Sequence, residues 1–120
     1  TKFDPNCHRP VLFANEKIIN LVWEKVLCGG LNSLQTEQAT LATYFKTAPV
    51  KENDAFNWRN VTFDLVRTIH VFAGDILMPS YGVFFKIKDI YVLITTDTQF
   101  CPNLMMPFYQ KANIIFHDCE

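Results

Sequence analysis

The segment VFFKIKDIYVLITTD, residues 83–97, decides the fold class that the sequence predicts. Apolar side chains recur at every second position from Val83 to Ile87, which is the period of a half-buried β-strand. Lys88-Asp89 then provides a tight hairpin connection, and residues 90–94 form an uninterrupted apolar run. Because this run is apolar on both faces, we expect a central strand that is covered on both sides.

The part of the chain before this hairpin begins with a predicted helix over residues 15–28. Asn15 is suited to cap its N-terminus, and Gly29-Gly30 predicts a left-handed stop at its end. Residues 33–48 are ambiguous and fit a short helix followed by a strand through Ala42, Tyr44 and Phe45. Residues 51–58 are polar and are expected to form a loop.

Further elements flank the hairpin on both sides. Residues 61–66 alternate as a half-buried strand, and Ser80-Tyr81-Gly82 is assigned to the turn before the hairpin. Residues 102–111 contain a short helix with Pro102 in its first turn, and residues 113–116 form another buried strand. This mixture predicts an α/β domain of the layered α+β kind.

Composition limits the classes of protein to which the chain can belong. With 120 residues, 49% of them apolar and 19% charged, it is long and apolar enough for one domain with its own core. A net charge of -1 gives no basic surplus for wrapping a nucleic-acid backbone. No apolar run spans a bilayer, so we expect no membrane contact. The four cysteines contain no C-x-x-C pair, and we interpret them as small hydrophobes in a reducing compartment rather than two disulfides, which predicts a cytoplasmic location.

Polar groups able to bind a metal follow three of the apolar segments. His70 comes where the strand of residues 61–66 is expected to end, Asp97 follows the central strand, and His117-Asp118 follows the last strand. Ligands bind at strand ends in layered α/β folds, because side chains there leave the core while their backbones stay fixed. Imidazole and carboxylate groups at neighbouring strand ends predict a site for Zn, Mn or Fe.

Each of these groups also has a purely structural interpretation. His70 fits a half-buried histidine whose hydrogen bonds are satisfied, and Asp97 fits a turn or helix cap that bonds local N–H groups. His117-Asp118 fits a hydrogen-bonded pair that closes a strand. The residue types alone leave both interpretations open.

Four motifs, taken in order, resemble those of a known family. They are TIHV at 68–71, MPSYG at 78–82, LITTDTQ at 93–99 and ANIIFHDCE at 112–120. This series is similar to the metallo-β-lactamase-fold hydrolases, in the branch of tRNase Z and the phage anti-Pycsar cyclic-nucleotide phosphodiesterases. The resemblance implies that His70 and Asp97 are metal ligands, with Asp97 bridging two metals. It also implies that His117 and Asp118 are catalytic, although Asp-Cys-Glu stands here where tRNase Z has Glu-Ala-Thr.

The resemblance also implies an activity and a cofactor. It predicts a hydrolase of phosphodiesters, acting on a cyclic nucleotide or an RNA 3′ end through a hydroxide activated by two zinc ions, with Mn or Fe as alternatives. A homodimer is the family's usual assembly. The near-neutral charge favours the smaller substrate, since a tRNA binder needs a surface rich in Lys and Arg.

The signature His-x-His-x-Asp-His of that family is absent, since the chain has three histidines and none lie in such a motif. We therefore expect residues 1–120 to be the middle to second-half portion of an αββα metallo-β-lactamase sandwich. The remaining half of the domain, upstream or in a companion chain, would supply the other ligands, and the isolated chain would be inactive. The alternative is a non-catalytic α/β interaction module or a degenerate remnant of the fold.

Overall fold

The computed structural model describes residues 8–34 and 37–118, and within them only the backbone of residues 72, 73 and 76. The chain folds as two compact units, which we call the N-terminal unit, Thr1–Lys51, and the C-terminal unit, Glu52–Glu120. In the described ranges, none of the helices combines the length and the apolar character that crossing a bilayer requires.

The N-terminal unit contains two parallel strands, and its helical segments lie between them in the chain. Its elements in chain order are β1 (Val11–Asn15), α1 (Glu16–Leu21), a π-helical segment (Val22–Leu27), α2 (Cys28–Leu31), α3 (Leu41–Tyr44) and β2 (Lys46–Val50). β1 and β2 run parallel in register from Val11↔Lys46 to Asn15↔Val50. The ambiguous stretch does contain a helix followed by a strand, but Ala42 and Tyr44, which were expected in the strand, lie in α3. The Phe45 N–H bonds back to the Leu41 carbonyl at 3.0 Å and closes a helical turn, so the strand begins only at Lys46.

The start of the predicted helix is confirmed and its end is wrong. The Asn15 side chain accepts a hydrogen bond from the Lys17 N–H at 2.9 Å, as an N-cap does. Gly29-Gly30 does not stop the helix, because both glycines lie inside α2 and the Asn32 N–H bonds back to the Cys28 carbonyl at 3.1 Å. Glycine inside a helix costs about 1 kcal/mol of helix stability relative to alanine. The hydrogen bonds of the neighbouring helical residues outweigh this cost.

The C-terminal unit is a five-stranded sheet with one helix. Its elements are β3 (Ala55–Trp58), β4 (Val61–Ala73), β5 (Ile76–Ile87), β6 (Ile90–Ile94), α4 (Pro102–Tyr109) and β7 (Ile114–Phe116). The strands lie in the order β3-β4-β5-β6-β7. All neighbours are antiparallel except β6 and β7, which are parallel and are connected through α4. The layered α+β class predicted from the sequence is therefore confirmed.

The core of this unit lies where α4 packs on the sheet. Val66, Phe84, Leu93 and Met105 are buried together, and Phe108 and Tyr109 of α4 pack against them. Pro102 occupies the first turn of α4, as predicted. Cys101 also packs here as a free, half-buried thiol, and Cys28 of the N-terminal unit is free and half-buried too. Cys7 and Cys119 lie outside the described residues.

Three predictions about the strands are wrong. Residues 55–58 form β3 rather than a loop, because Arg59 and Asn60 both adopt positive φ (47° and 64°) and turn the chain into a hairpin. Ser80 and Tyr81 lie within β5 rather than in a turn. β4 continues past Val66 to Ala73, so His70 lies inside a strand and not at its end. Both long strands persist because each satisfies the backbone hydrogen bonds of the other.

The hairpin at Lys88-Asp89 is confirmed, with Lys88 at φ 55°, but two statements about burial are wrong. Ile90 and Tyr91 of β6 are exposed, while Val92 and Leu93 of the same strand are buried. β7 is a strand, as predicted, but it is exposed along its whole length. The reason is position, since β7 is the last strand in the sheet order of the C-terminal unit.

Candidate metal centre

The two predicted metal ligands meet in the structure. Nδ1 of His70 lies 2.8 Å from Oδ1 of Asp97, although the residues are far apart in sequence. Both side chains are accessible, with 39% of the His70 side chain and 60% of the Asp97 side chain exposed. An imidazole nitrogen and a carboxylate oxygen at this separation share a hydrogen bond, and both are ligand atoms that zinc binds in proteins.

A β-bulge aims His70 at this position. β4 and β5 pair at Ile69↔Pro79 and resume at Val71↔Met78, so His70 is the extra residue without a partner. Pro79 has no N–H to donate to the ladder, and an interruption at this point is therefore expected. A bulge bends the strand and redirects a side chain, which explains how a residue inside β4 reaches the site.

The loop that carries Asp97 is anchored to the residue before His70. The buried hydroxyl of Thr98 donates to the Ile69 carbonyl at 3.0 Å, and the Gln99 N–H donates to the same carbonyl at 2.7 Å. These bonds fix the loop after β6 against the bulge in β4. The His70–Asp97 separation is thus set by backbone positions and not only by the hydrogen bond between the two side chains.

Gly82 allows the end of β6 to pass close to β5. A Cβ at Gly82 would overlap the carbonyl oxygen of Ile94 and lie 3.0 Å from the Cα of Thr95. The next residue, Thr96, has φ 59°, and its hydroxyl bonds to the Tyr81 carbonyl at 3.0 Å. The close approach at Gly82 therefore determines where the chain turns toward Asp97.

Asp118 attaches β7 to the same loop. Its N–H donates to Oγ1 of Thr95 at 3.2 Å, and its Oδ2 accepts from the Thr98 N–H at 3.4 Å. The carboxylate thus serves the loop that holds Asp97, and this geometry favours an orienting role over direct contact with a substrate.

His117 is held on both sides of its ring. Nε2 lies 2.7 Å from Oη of Tyr109, and Nδ1 bonds to the backbone carbonyl of Asp118. Tyr109 is the last residue of α4 and lies against the core, where burial is the main cause of a raised phenol pKa. The ring of His117 is therefore fixed by a neutral phenol and a backbone carbonyl.

Three of the four predicted site residues line one cavity. An open cavity of about 480 Å³ is bounded by Ile94, Thr96, Asp97, Phe116, His117 and Asp118. His70 joins these residues through its contact with Asp97. The structure thus brings together all four residues that the sequence predicted, on β4, on the loop after β6 and at the end of β7.

The donor set fits part of a zinc site. Across the described ranges no group of three or more His, Cys, Asp or Glu side chains is arranged to hold a metal. The pair of His70 and Asp97 supplies two donors, and a tetrahedral zinc between them would need a donor separation of about 3.3 Å. That is a small adjustment from 2.8 Å for two exposed side chains. The pair therefore fits a zinc ion that takes its other ligands from elsewhere.

Comparison with known proteins gives the family. The profile of the family described as Anti-Pycsar protein Apyc1 matches residues 1–120. The chain belongs to this family. No curated protein matches the chain. The Apyc1 family assignment agrees with the resemblance deduced from the four motifs.

A solved structure shows the fold of this Apyc1 family chain. It is similar to the metallo-β-lactamase-fold protein YhfI from Bacillus subtilis, with a TM-score of 0.59 and 14% identity. The match covers 92% of this chain and 37% of YhfI, so the chain spans little more than a third of that protein. The predicted metallo-β-lactamase fold is thereby confirmed.

Sequence reasoning missed the residues that hold the site together. Gly82 was interpreted as a turn residue, and its close contact with Thr95 depends on a neighbouring strand. Thr98 stands in the Thr-Thr-Asp-Thr run, which was the available signal for its anchoring role. Tyr109 carried no signal, because only the packing of α4 brings it to His117.

Proposed function

We propose that the complete natural polypeptide containing this chain, called here the parent protein, is a metal-dependent phosphodiesterase that hydrolyses a cyclic nucleotide. The observation that carries the proposal is the 2.8 Å contact between His70 and Asp97 beside a cavity, in a chain of the anti-Pycsar Apyc1 family. In hydrolysis the oxygen of water bonds to phosphorus, one ester P–O bond breaks, and the leaving oxygen takes up a proton.

His70 and Asp97 are the residues that would hold the metals. Asp97 suits a bridging position, because its two oxygens carry the negative charge that offsets neighbouring cations. Two metals, zinc in our proposal with Mn or Fe as alternatives, would lower the pKa of a bound water and draw charge from the phosphate oxygens. Asp118 would keep the Asp97 loop in place through Thr95 and Thr98.

His117 is the candidate for proton handling at the leaving oxygen. Its ring lines the cavity that also contains Asp97, and imidazole exchanges protons near neutral pH. The cavity of about 480 Å³ is within the usual range for small-molecule sites. Together with the net charge of -1, this size supports a cyclic nucleotide rather than an RNA end.

The site requires more ligands than these residues provide. A zinc site needs about four ligands including water, so His70 and Asp97 complete neither of two ions. The chain corresponds to 37% of YhfI, and we propose that it is the middle to second-half portion of a larger domain. The remaining ligands would come from the rest of the parent protein or a second copy in a homodimer, and the 120-residue chain alone would be inactive. A cytoplasmic location belongs to the same proposal, and the free thiols of Cys28 and Cys101 are consistent with it.

The test is a hydrolysis assay on the parent protein with added Zn or Mn. The substrates are cyclic nucleotides, bis-p-nitrophenyl phosphate and an RNA with an extended 3′ end. We expect cyclic-nucleotide hydrolysis to fall at least about 100-fold in Asp97→Ala, because loss of a ligand exceeds the 10–100-fold effect of losing a residue that only supports one.

Asp89→Ala is the matched control for this assay. Asp89 lies in the exposed hairpin turn, where its side chain is fully accessible and pairs only loosely with Lys86 at 3.5 Å. We expect its rate to stay within about twofold of wild type. Equal rates in wild type and Asp97→Ala would disprove the role of Asp97. Faster cleavage of the RNA than of the cyclic nucleotides would show that the RNA end, and not a cyclic nucleotide, is the substrate.

A further inference from the structure

The hydrogen bonds of His117 determine which ring nitrogen carries the proton. Nδ1 faces the backbone carbonyl of Asp118, and a carbonyl only accepts hydrogen bonds. Nδ1 must therefore be the protonated nitrogen. In the neutral imidazole Nε2 is then an acceptor, and the hydroxyl of Tyr109 is the donor that it meets at 2.7 Å.

The position of Tyr109 is fixed by elements on both sides of it. Met105 and Phe108 of the same helix pack in the core of the C-terminal unit, which anchors α4 to the sheet. After the helix, the Ala112 N–H bonds to the Phe108 carbonyl at 2.9 Å, and the Asn113 N–H bonds to the Tyr91 carbonyl at 2.9 Å. The chain from Tyr109 to β7 is thus short and restrained at both ends.

The two rings also contact each other directly. Their centroids lie 5.8 Å apart with the planes at 45°, so the phenol restrains the orientation of the imidazole ring. The hydroxyl of Tyr109 and its ring thus both hold the imidazole in place.

We propose that Tyr109 is a positioning residue, whose hydroxyl donates to Nε2 of His117 and fixes the imidazole ring at the cavity wall. The proposal deepens the phosphodiesterase function and rests on it for the consequence in catalysis. The position of the ring itself follows from the contacts of His117 with Tyr109 and Asp118.

The experiment compares wild-type parent protein with Tyr109→Phe, which removes one hydroxyl and keeps the ring. Nitrogen-15 NMR of histidine-labelled protein reports the protonation and hydrogen bonding of each ring nitrogen, and His117→Gln identifies the signals of His117. We expect the Nδ1–H tautomer in both proteins, because the Asp118 carbonyl is unchanged, and a changed Nε2 chemical shift in Tyr109→Phe, because Nε2 loses its donor. An unchanged Nε2 shift would overturn the proposal.

Kinetics and metal content supply the second measurement. We expect Tyr109→Phe to lower kcat about 10-fold, with KM and bound metal unchanged, since Tyr109 acts through His117. Tyr91→Phe is the matched control, because the Tyr91 ring stacks on Phe84 at 5.6 Å and its loss of a hydroxyl should change neither kcat nor the Nε2 shift of His117. An unchanged kcat, or a loss of metal, in Tyr109→Phe would contradict the positioning role. If wild type hydrolyses no phosphodiester, the proposed function fails, while the Nε2 shift still shows whether Tyr109 holds His117.

Discussion

At the scale of single residues, the candidate site depends on small backbone-directed contacts as much as on its acid and imidazole. Ile69 illustrates this, since its carbonyl accepts from the Thr98 hydroxyl and from the Gln99 N–H. The side chain that follows Ile69 is His70, and the one that precedes Thr98 is Asp97. Two bonds at a single carbonyl therefore hold the two proposed metal ligands near each other.

Gly82 gives a prediction at this scale. We expect Gly82→Ala to lower the free energy of unfolding by about 1–3 kcal/mol, because the new Cβ would overlap backbone atoms of Ile94 and Thr95 that belong to a paired strand. The shift would also displace the Asp97 loop and weaken zinc binding by about 10-fold. Denaturant unfolding and zinc titration of the parent protein measure the two effects.

Gly30→Ala is the control for this substitution. A Cβ at Gly30 meets no atom within 4 Å, and the residue lies in α2, so alanine there should raise the free energy of unfolding by about 0.5–1 kcal/mol. If Gly82→Ala were as stable as wild type and bound zinc equally well, the close approach would have no part in forming the site.

At the scale of elements, α4 is what attaches β7 to the rest of the sheet. The helix crosses from β6 to β7, and Met105 lies fully buried among Val66, Phe84 and Leu93. β7 itself is exposed, so its position follows mainly from this packing and from its pairing with β6. His117 and Asp118 come directly after β7 and depend on the same packing.

The packing of α4 is testable with two neighbouring methionines. We expect Met105→Ala to destabilise the parent protein by about 2–5 kcal/mol, because it opens a cavity in the core of the C-terminal unit. Met106→Ala should have an effect of less than about 0.5 kcal/mol, since Met106 is 45% exposed. Thermal or denaturant unfolding gives both values, and equal effects at the two positions would contradict the packing described here.

The elements also show what the sequence could and could not predict. The hairpin at Lys88-Asp89, the N-cap at Asn15 and the helix beginning at Pro102 depend on local chemistry, and each is confirmed. The bulge at His70 and the hairpin that makes β3 depend on a partner strand, and local patterns did not reveal them.

The site shows the same difference between features that the local sequence predicts and features that depend on other elements. His70 and Asp97 were predicted as a pair because their motifs stand in a known order, and their contact shows that the order carries three-dimensional information. Tyr109 and Gly82 act through residues on other elements, so a single sequence contained no pattern that would single them out.

At the scale of the whole molecule, the chain contains a recognisable part of a metallo-β-lactamase fold. It belongs to the anti-Pycsar Apyc1 family and spans 37% of YhfI. The C-terminal unit brings His70, Asp97, His117 and Asp118 together, and the proposed phosphodiesterase needs further ligands from outside this set. The central claim is thus that His70 and Asp97 bind one metal together in the parent protein.

Anomalous X-ray diffraction at the zinc absorption edge, on crystals of the zinc-loaded parent protein, tests that claim most directly. We expect an anomalous peak about 2.0–2.2 Å from both Nδ1 of His70 and a carboxylate oxygen of Asp97, with their hydrogen bond replaced by two metal bonds. A zinc peak elsewhere, with His70 and Asp97 still bonded directly to each other, would contradict it.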